Sequence, residues 1–352
     1  MFLPSRWRRT SLYLLVTIVI LLGFLYVNAE LRDNTLNYIR PAWFYINGLT
    51  RYDFKPTPDE QACLDGNATR INALGMLVDI PKVVHFVIGV DKPNPITLML
   101  WLAIRAAAAN LQDCEIRLHY VYLSEQGSWW KDVRELVTLT RHGPEFLDDF
   151  LHINPPPSQW NPAHKADILR LQILRAHGGI YLDTDAIVLR PLDKLLSGRR
   201  DVFLGHEGGH RRGMTNAVIL AKPGAAFIER WYKAYQNFDP KRWNHHSVIL
   251  PAKLADQHPD EICQLPPAVF FWPLWPQHHV DWMHMPLSRQ ESAAVAADIE
   301  RTNGSLFDEQ LVYHAWNHPA QRWMKDLTLE RIRTEDTRFN MLVRRFIDAK
   351  RG

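Results

Sequence analysis

Two aspartates one residue apart, Asp183 and Asp185, carry the strongest chemical signal in these 352 residues. Carboxylate oxygens are hard ligands, and Mn²⁺ or Mg²⁺ favours them together with water and phosphate oxygens. Held at such a pair, a divalent ion offsets charge on a departing phosphate as a Lewis acid. The spacing is weak by itself, because a chain this long carries about one such triplet by chance. Its weight comes from the surroundings. Asp167 and Arg170 lie three apart, and residues at that spacing share one helix face. A carboxylate and a guanidinium then converge on the crevice that holds the aspartate pair.

Those side chains need elements to place them. Asn161-Pro162 reads as an N-cap followed by proline at the first helical position. The helix continues through His164 to Arg175 and stops at His177-Gly178-Gly179. Ile180-Tyr181-Leu182-Asp183 is then a strand, and Thr184-Asp185 leaves its C-terminal edge. In open α/β sheets, ligands bind outside the carboxyl ends of strands. Upstream, Lys82 to Gly89 is a β-branched apolar run, Thr97 to Asn110 is helical, and Ile116 to Leu123 alternates as a second strand. Two strands flanking one helix imply a parallel pair.

Downstream, Val202 to His206 and Ala217 to Ala221 read as strands and Ala225 to Phe238 as helix. Residues 266–276 are dense in proline and tryptophan and read as an ordered loop. Its Phe270-Phe271-Trp272-Pro273-Leu274-Trp275 run is a candidate face for an acceptor sugar or lipid, with core and loop scaffolding the plainer role. Trp129-Trp130 is a weaker candidate for the same role. From Gln321 the chain reads as an amphipathic, net-basic helical tail, with Phe339, Leu342 and Phe346 at helical spacing, that packs on the domain.

The run Ala166-Asp167-x-x-Arg170, then Gly178-Gly179-Ile180-Tyr181-Leu182-Asp183-Thr184-Asp185, resembles the sugar-binding region of glycosyltransferase family 32. Further matches are Ile80-Pro81-Lys82-Val83-Val84-His85, Asn216-Ala217-Val218-Ile219 with Lys222-Pro223-Gly224, and His314-Ala315-Trp316. The resemblance implies an α/β fold of GT-A type: a Rossmann-like, mostly parallel sheet in a single catalytic domain. It also implies a UDP- or GDP-linked sugar donor, a glycan or glycolipid acceptor, Mn²⁺ or Mg²⁺, and transfer with retention at the anomeric carbon. By position, it puts Asp183 and Asp185 on metal and ribose–diphosphate, and Asp167 and Arg170 on donor-sugar hydroxyls. Tyr181 lines the same pocket, His85, Ile88 and Gly89 form the floor of the nucleotide site, and Asn216 is a further donor contact. His314 is the third metal ligand. The family often shows two adjacent histidines before the tryptophan, whereas Ala315 holds the second place here.

Two other functions fit parts of the pattern. A DxD phosphohydrolase of the haloacid dehalogenase kind uses its first Asp as nucleophile, with Thr or Val two places after the second; Ile187 stands there instead. A non-catalytic membrane lectin or scaffold keeps the fold without activity, and the presence of Asp167, Arg170, Asp183 and Asp185 argues against it. His245-His246 and His278-His279 lack Cys or Asp at ligand spacing and read as surface or loop histidines.

At the N-terminus, Leu12 to Val27 reads LYLLVTIVILLGFLYV, preceded by Arg6, Arg8 and Arg9. It is slightly short of the roughly 20 residues that cross a typical bilayer. The expected order is a cytosolic tail over 1–10, a transmembrane signal-anchor over 11–27, a luminal stem over 28–75, the catalytic domain over 76–320 and the tail over 321–352. A cleaved signal peptide ending at Val27-Asn28-Ala29 is the alternative. Either reading sends the chain to the secretory pathway, with a Golgi or ER membrane location expected. Sequons at Asn67 and Asn303 fit that placement. Cys63, Cys114 and Cys263 would form one disulfide and leave one thiol, with the pairing open.

Composition narrows the remaining classes. At 47% hydrophobic and 22% charged residues the chain is globular rather than disordered. Lys+Arg 41 against Asp+Glu 38 gives a net charge of +3, an excess that the three N-terminal arginines account for. The rest is formally neutral, so no basic surface argues for nucleic acid.

Overall fold

The computed structural model describes residues 55–66, 79–198 and 200–348, together with Thr17 and Gly23. Apart from those two positions, the expected membrane anchor lies outside the described residues, as does the Asn67 sequon. Among the described residues no helix is long and apolar enough to cross a membrane.

In chain order the helices are α1 (Pro58–Leu64), α2 (Leu98–Asn110), α3 (Trp130–Arg134), α4 (Pro162–His177), α5 (Asp193–Leu196), α6 (Ala226–Ala234) and α7 (Leu250–Gln257). They continue with α8 (Pro267–Phe270), α9 (Gln277–His284), α10 (Arg289–Arg301), α11 (Gln321–Met324), α12 (Leu329–Thr334) and α13 (Arg338–Ile347). The strands are β1 (Val83–Ile88), β2 (Glu115–Tyr120), β3 (Thr138–Arg141), β4 (Gly179–Leu182) and β5 (Ala186–Val188). After them come β6 (Val202–Glu207), β7 (Gly213–Ala221), β8 (Cys263–Leu265) and β9 (Val312–His314).

Seven of these strands form one sheet in the order β3-β2-β1-β4-β7-β6-β8. Strand β1 runs parallel to β2 and β4, β2 to β3, and β6 to β8. Only β7 is reversed, antiparallel to both β4 and β6. The fold is therefore mixed α/β with a mostly parallel sheet. Because β7 reverses between them, β4 and β6 point the same way. The carboxyl ends of β1, β4, β6 and β8 consequently open on one edge of the sheet.

Side-chain alternation sorts the strand residues between two cores. Val84, Phe86, Ile180, Leu182, Val218 and Leu220 pack with α2 on one face. Val87, Tyr181, Leu204 and Ile219 pack on the other face against Ile168, Leu169 and Leu171 of α4. All nine residues of β7 are buried, as a central strand covered on both faces requires.

Local sequence explains the ends of α4. The Asn161 side chain accepts from the Ala163 amide, Pro162 follows it, and Gly178 caps the far end at φ 61°. A Cβ on Gly178 would lie 2.6 Å from Pro223, so glycine is needed there both for conformation and for space.

Several expectations change in detail. The second strand ends at Tyr120 rather than Leu123, and the loop expected over 266–276 contains the helical turn α8. The helical C-terminal tail is built of three helices, α11 to α13. It packs on the domain as expected: Phe339, Leu342, Val343 and Phe346 belong to the same core as α2 and β4. The histidine pairs lie in helical turns, and His246 and His279 are buried rather than on the surface.

A disulfide joins Cys63 of α1 to Cys263 of β8, with Cα atoms 5.6 Å apart, and Cys114 stays reduced. Glu60 of α1 is buried and receives Arg211 through Nε at 2.6 Å and Nη2 at 2.9 Å. The 55–66 segment is thus fastened to the sheet beside the β6–β7 turn.

Candidate active site

The site grows from two periodicities meeting. Residues two apart on β4 face the same way, so Tyr181 and the next position, Asp183, both face α4. Residues three apart on α4 share a face, so Asp167 and Arg170 look back at them. The result is one buried network. The Arg170 guanidinium lies 3.0 Å from Asp183 Oδ1 through Nη1 and 3.1 Å from Asp167 Oδ1 through Nη2. Its Nη1 also donates to the Asn216 carbonyl at 2.8 Å, and the plane stacks 4.5 Å from the Tyr181 ring centroid. Asn216 Nδ2 donates to Asp167 Oδ1 at 2.7 Å, and the Tyr181 hydroxyl donates to Asp183 Oδ1 at 2.8 Å.

Charge states follow from the packing. Burial pushes the Asp167 carboxyl up, against the pull of Arg170 and Asn216. Burial also pushes the Tyr181 phenol well up, so its hydroxyl remains a donor. Asp183 Oδ1 is engaged by Arg170 and Tyr181, and the carboxylate is half-buried.

The third member arrives from far along the chain. Strand β5 begins directly after Asp185 and pairs antiparallel with β9, setting Ala186 opposite His314. The Ala315 amide donates to the Asp185 carbonyl at 2.9 Å. His314 Nε2 then sits 3.2 Å from Asp185 Oδ1, while the Asn317 amide donates to Oδ2 at 2.8 Å. Between them Trp316 adopts φ 51°, left-handed backbone that costs an aromatic residue on the order of 1–3 kcal/mol. Its indole is tied to the Pro273 carbonyl at 2.8 Å. Burial opposes ionisation of Asp185, but His314 and the Asn317 amide hold its carboxyl below the usual range. Burial pulls His314 down, and the facing Asp185, Asp183 and Glu207 carboxylates nonetheless raise it above an ordinary imidazole.

Asp183, Asp185 and His314 each offer a ligand atom, and those atoms lie within 4.8 Å of one another. The donor set of two carboxylates and one imidazole suits a divalent ion. His314 Nδ1 is buried without a hydrogen-bond partner, an orphaned ring nitrogen beside that set. These three residues could hold a divalent ion.

The residues expected at the nucleotide floor divide between the two ends of β1. Gly89 closes β1 at φ 58°, where a Cβ would fall 1.9 Å from the Tyr122 carbonyl oxygen. Ile88 ends β1 half-buried against the first core. The His85 side chain is not brought to the carboxyl edge. Its Nε2 faces the Gly178 carbonyl at 2.9 Å, at the opposite end of β4, and its Nδ1 faces His119 Nε2 at 2.9 Å. His119 Nδ1 faces His142 Nε2 in turn, at 2.8 Å. A carbonyl only accepts, so His85 carries its proton on Nε2, and the other two rings donate along the row through Nε2. The arrangement makes His85 a support for the sheet beneath α4.

Two features escaped the sequence reading. Lys165 of α4 is buried and ion-paired to Asp91, just beyond β1. Glu207 ends β6 on the same edge as Asp183; burial pushes its carboxyl up, against the pull of the Trp275 indole and of His314. The available signal was a carboxylate ending a strand, as at Asp183, but it needs the knowledge that β6 runs parallel to β4.

Residues 103–201 match the family model described as a glycosyltransferase sugar-binding region containing a DXD motif. The chain is 35% identical over 292 residues to glucan organizing enzyme 1 of Cryptococcus neoformans var. grubii, covering 78% of this chain and 72% of that protein. An uncharacterized protein of Arabidopsis thaliana is 24% identical over 172 residues, which is 46% of this chain and 25% of the relative. Among solved structures, the PaToxG glycosyltransferase aligns with a TM-score of 0.38 at 14% identity, over 76% of this chain and 87% of the other. The apo-form glycosyltransferase GlyE of Streptococcus pneumoniae aligns at 0.40 and 12% identity, over 77% and 61%. With its DXD pair at the strand edge and a relative this similar over most of both chains, the protein belongs to the glycosyltransferases whose sugar-binding region contains a DXD motif.

Proposed function

We propose that the protein transfers a hexose from a UDP- or GDP-linked donor to a glycan or glycolipid acceptor, with a divalent ion held by Asp183, Asp185 and His314. The observation that carries this reading is the convergence of those three residues within 4.8 Å at the carboxyl edge of the sheet. When bound there, Mn²⁺ or Mg²⁺ supplies Lewis-acid stabilisation of the leaving diphosphate. The chain's own contribution is placement. Arg170 and Tyr181 fix the Asp183 carboxylate through Oδ1, and the Asn317 amide fixes Asp185. Asp167, held by Asn216, is the residue we assign to donor-sugar hydroxyls, on the strength of the family resemblance. Retention of configuration is the outcome we assign, on the strength of the family resemblance.

A secretory location, with the catalytic part luminal and anchored by residues 11–27, completes the proposal. The Cys63–Cys263 disulfide supports it, since such bonds persist in oxidising compartments. Asn303, the acceptor of the second sequon, is exposed.

The test is a panel of UDP- and GDP-sugars incubated with the protein and Mn²⁺. Donor hydrolysis that disappears with chelator, and in Asp183→Asn and Asp185→Asn, is expected. Absence of donor turnover and donor binding by the wild type would remove the transferase mechanism. Phosphate release from monoesters would point instead to a phosphohydrolase.

A further inference from the structure

The carboxyl edge has a second half that the metal and donor residues leave unused. Strand β6 ends at Glu207, and β8, parallel to it, leads into the loop that carries Trp275. Both therefore arrive on the edge where Asp183, Asp185 and His314 sit. Trp275 Nε1 donates to Glu207 Oε1 at 2.5 Å, which leaves Oε2 for another partner. Trp275 is 44% exposed, while the loop residues before it are buried: Phe270, Phe271 and Trp272 are all at or below 2%.

The loop is fastened directly to the metal-ligand segment. The Phe271 ring lies 5.9 Å from that of His314, and Trp316 donates to the Pro273 carbonyl. Beside Glu207, Gly208 has φ 77°, and a Cβ there would come 3.3 Å from Leu274 Cδ1, so the turn closes against the loop. Arg211, four residues on from Glu207, is locked to buried Glu60. The pair is thus held from both sides.

An isolated exposed tryptophan needs no explanation. This one is different in that its indole N–H is held by the half-buried Glu207 carboxylate while the side chain remains largely open to solvent. A flat aromatic surface with a carboxylate oxygen at its rim matches the two sides of a pyranose, C–H groups on a ring face and hydroxyl donors at the edge. We propose that Trp275 and Glu207 form the acceptor subsite, the indole stacking a neutral pyranose ring and Glu207 Oε2 accepting from its hydroxyls. This rests on the glycosyl-transfer reading and deepens it by naming where the acceptor lies. The surrounding carboxylates disfavour an acidic sugar by like-charge repulsion.

The test is saturation-transfer NMR of the wild type with methyl α-D-mannopyranoside, methyl β-D-galactopyranoside, methyl β-D-glucopyranoside and methyl β-D-glucuronide. At least one neutral glycoside is expected to receive saturation on its ring protons, and the glucuronide less than the glucoside. Trp275→Ala should weaken that binding by about tenfold and Trp275→Phe by far less, since a ring face is restored. Glu207→Gln should weaken it by about threefold or more, through loss of a charged acceptor. Trp282→Ala, which removes an exposed tryptophan elsewhere, should leave it unchanged. Binding as strong in Trp275→Ala as in the wild type would overturn the subsite, as would no saturation of any neutral glycoside. Donor hydrolysis by the wild type, measured in parallel, separates the two ideas. Hydrolysis with sugar binding indifferent to Trp275 defeats the subsite alone; Trp275-dependent binding without any donor turnover defeats the transferase reading alone.

Discussion

Arg170 shows most clearly what side-chain geometry adds to spacing. The family resemblance assigns it to donor-sugar hydroxyls, but its guanidinium is spent on Asp167, Asp183, the Asn216 carbonyl and the Tyr181 ring. It acts as a positioning residue, because a planar fork can hold two carboxylates at once. Arg170→Ala leaves those carboxylates uncompensated, and breaking a buried pair from one side costs about 3–5 kcal/mol. The expected result is a lower melting temperature together with a loss of kcat, and Arg170→Lys should recover only part of each. A rise in KM alone, at unchanged melting temperature, would return Arg170 to direct sugar contact. The cluster of Asp167, Arg170, Asp183 and Asp185 was legible because helix and strand periods are local. His314 was legible only by resemblance, since the β5–β9 pairing that delivers it joins distant segments. Glu207 was not legible at all.

Among the elements, the β1–β2–β3 half of the sheet carries a row of histidines, His85 and His119 buried and His142 half-buried. Burial pushes His85 down to about 4, despite its bond to the Gly178 carbonyl, and pushes His119 and His142 down as well. The unfolded chain therefore binds more protons than the folded one below its ordinary histidine pKa near 6.5. Stability from the row is fully present above about pH 6.5 and is lost as pH falls from there toward 4, by about 3 kcal/mol for His85. Chemical denaturation at pH 7 and pH 5 should show part of that loss, about 2 kcal/mol for His85, with a shallower slope in His85→Gln. Equal slopes in the two proteins would show that the row does not titrate on unfolding. Sequence placed β1 correctly, from a β-branched run closed by Gly89, but alternation alone does not tell which neighbour a strand's inward residue meets. That is why His85 was expected at the nucleotide floor and lies instead beneath α4. The boundary that moved at Tyr120 is where hydrophobic pattern continues beyond the last ladder hydrogen bond, whereas the 266–276 loop holds a helical turn that starts on Pro267.

At the scale of the molecule, segments distant in sequence are fastened to one sheet. The Cys63–Cys263 bond closes a loop with a sequence separation of 200, and disulfides contribute typically about 2–4 kcal/mol. Cys63→Ser combined with Cys263→Ser should lower stability by that amount in urea denaturation, and Cys114→Ser should not. Burial pushes the Cys114 thiol up to about 11, so it should resist alkylation at neutral pH. The α13 helix is equally integral, with Phe339, Leu342 and Phe346 buried in the shared core. The net charge of +3 belongs to the N-terminal arginines, which leaves a formally neutral body. In the proposed function, such a body would draw its anionic donor through a local ion rather than a long-range field. That dependence is the central claim, and Mn²⁺ binding tests it most directly. Titration followed by electron paramagnetic resonance should reveal one Mn²⁺ site per chain that tightens when UDP or GDP is added. The site should be lost in Asp185→Asn and weakened by about tenfold or more in His314→Ala. Mn²⁺ binding of wild-type strength in Asp185→Asn, or no binding by the wild type with either nucleotide, would contradict the account.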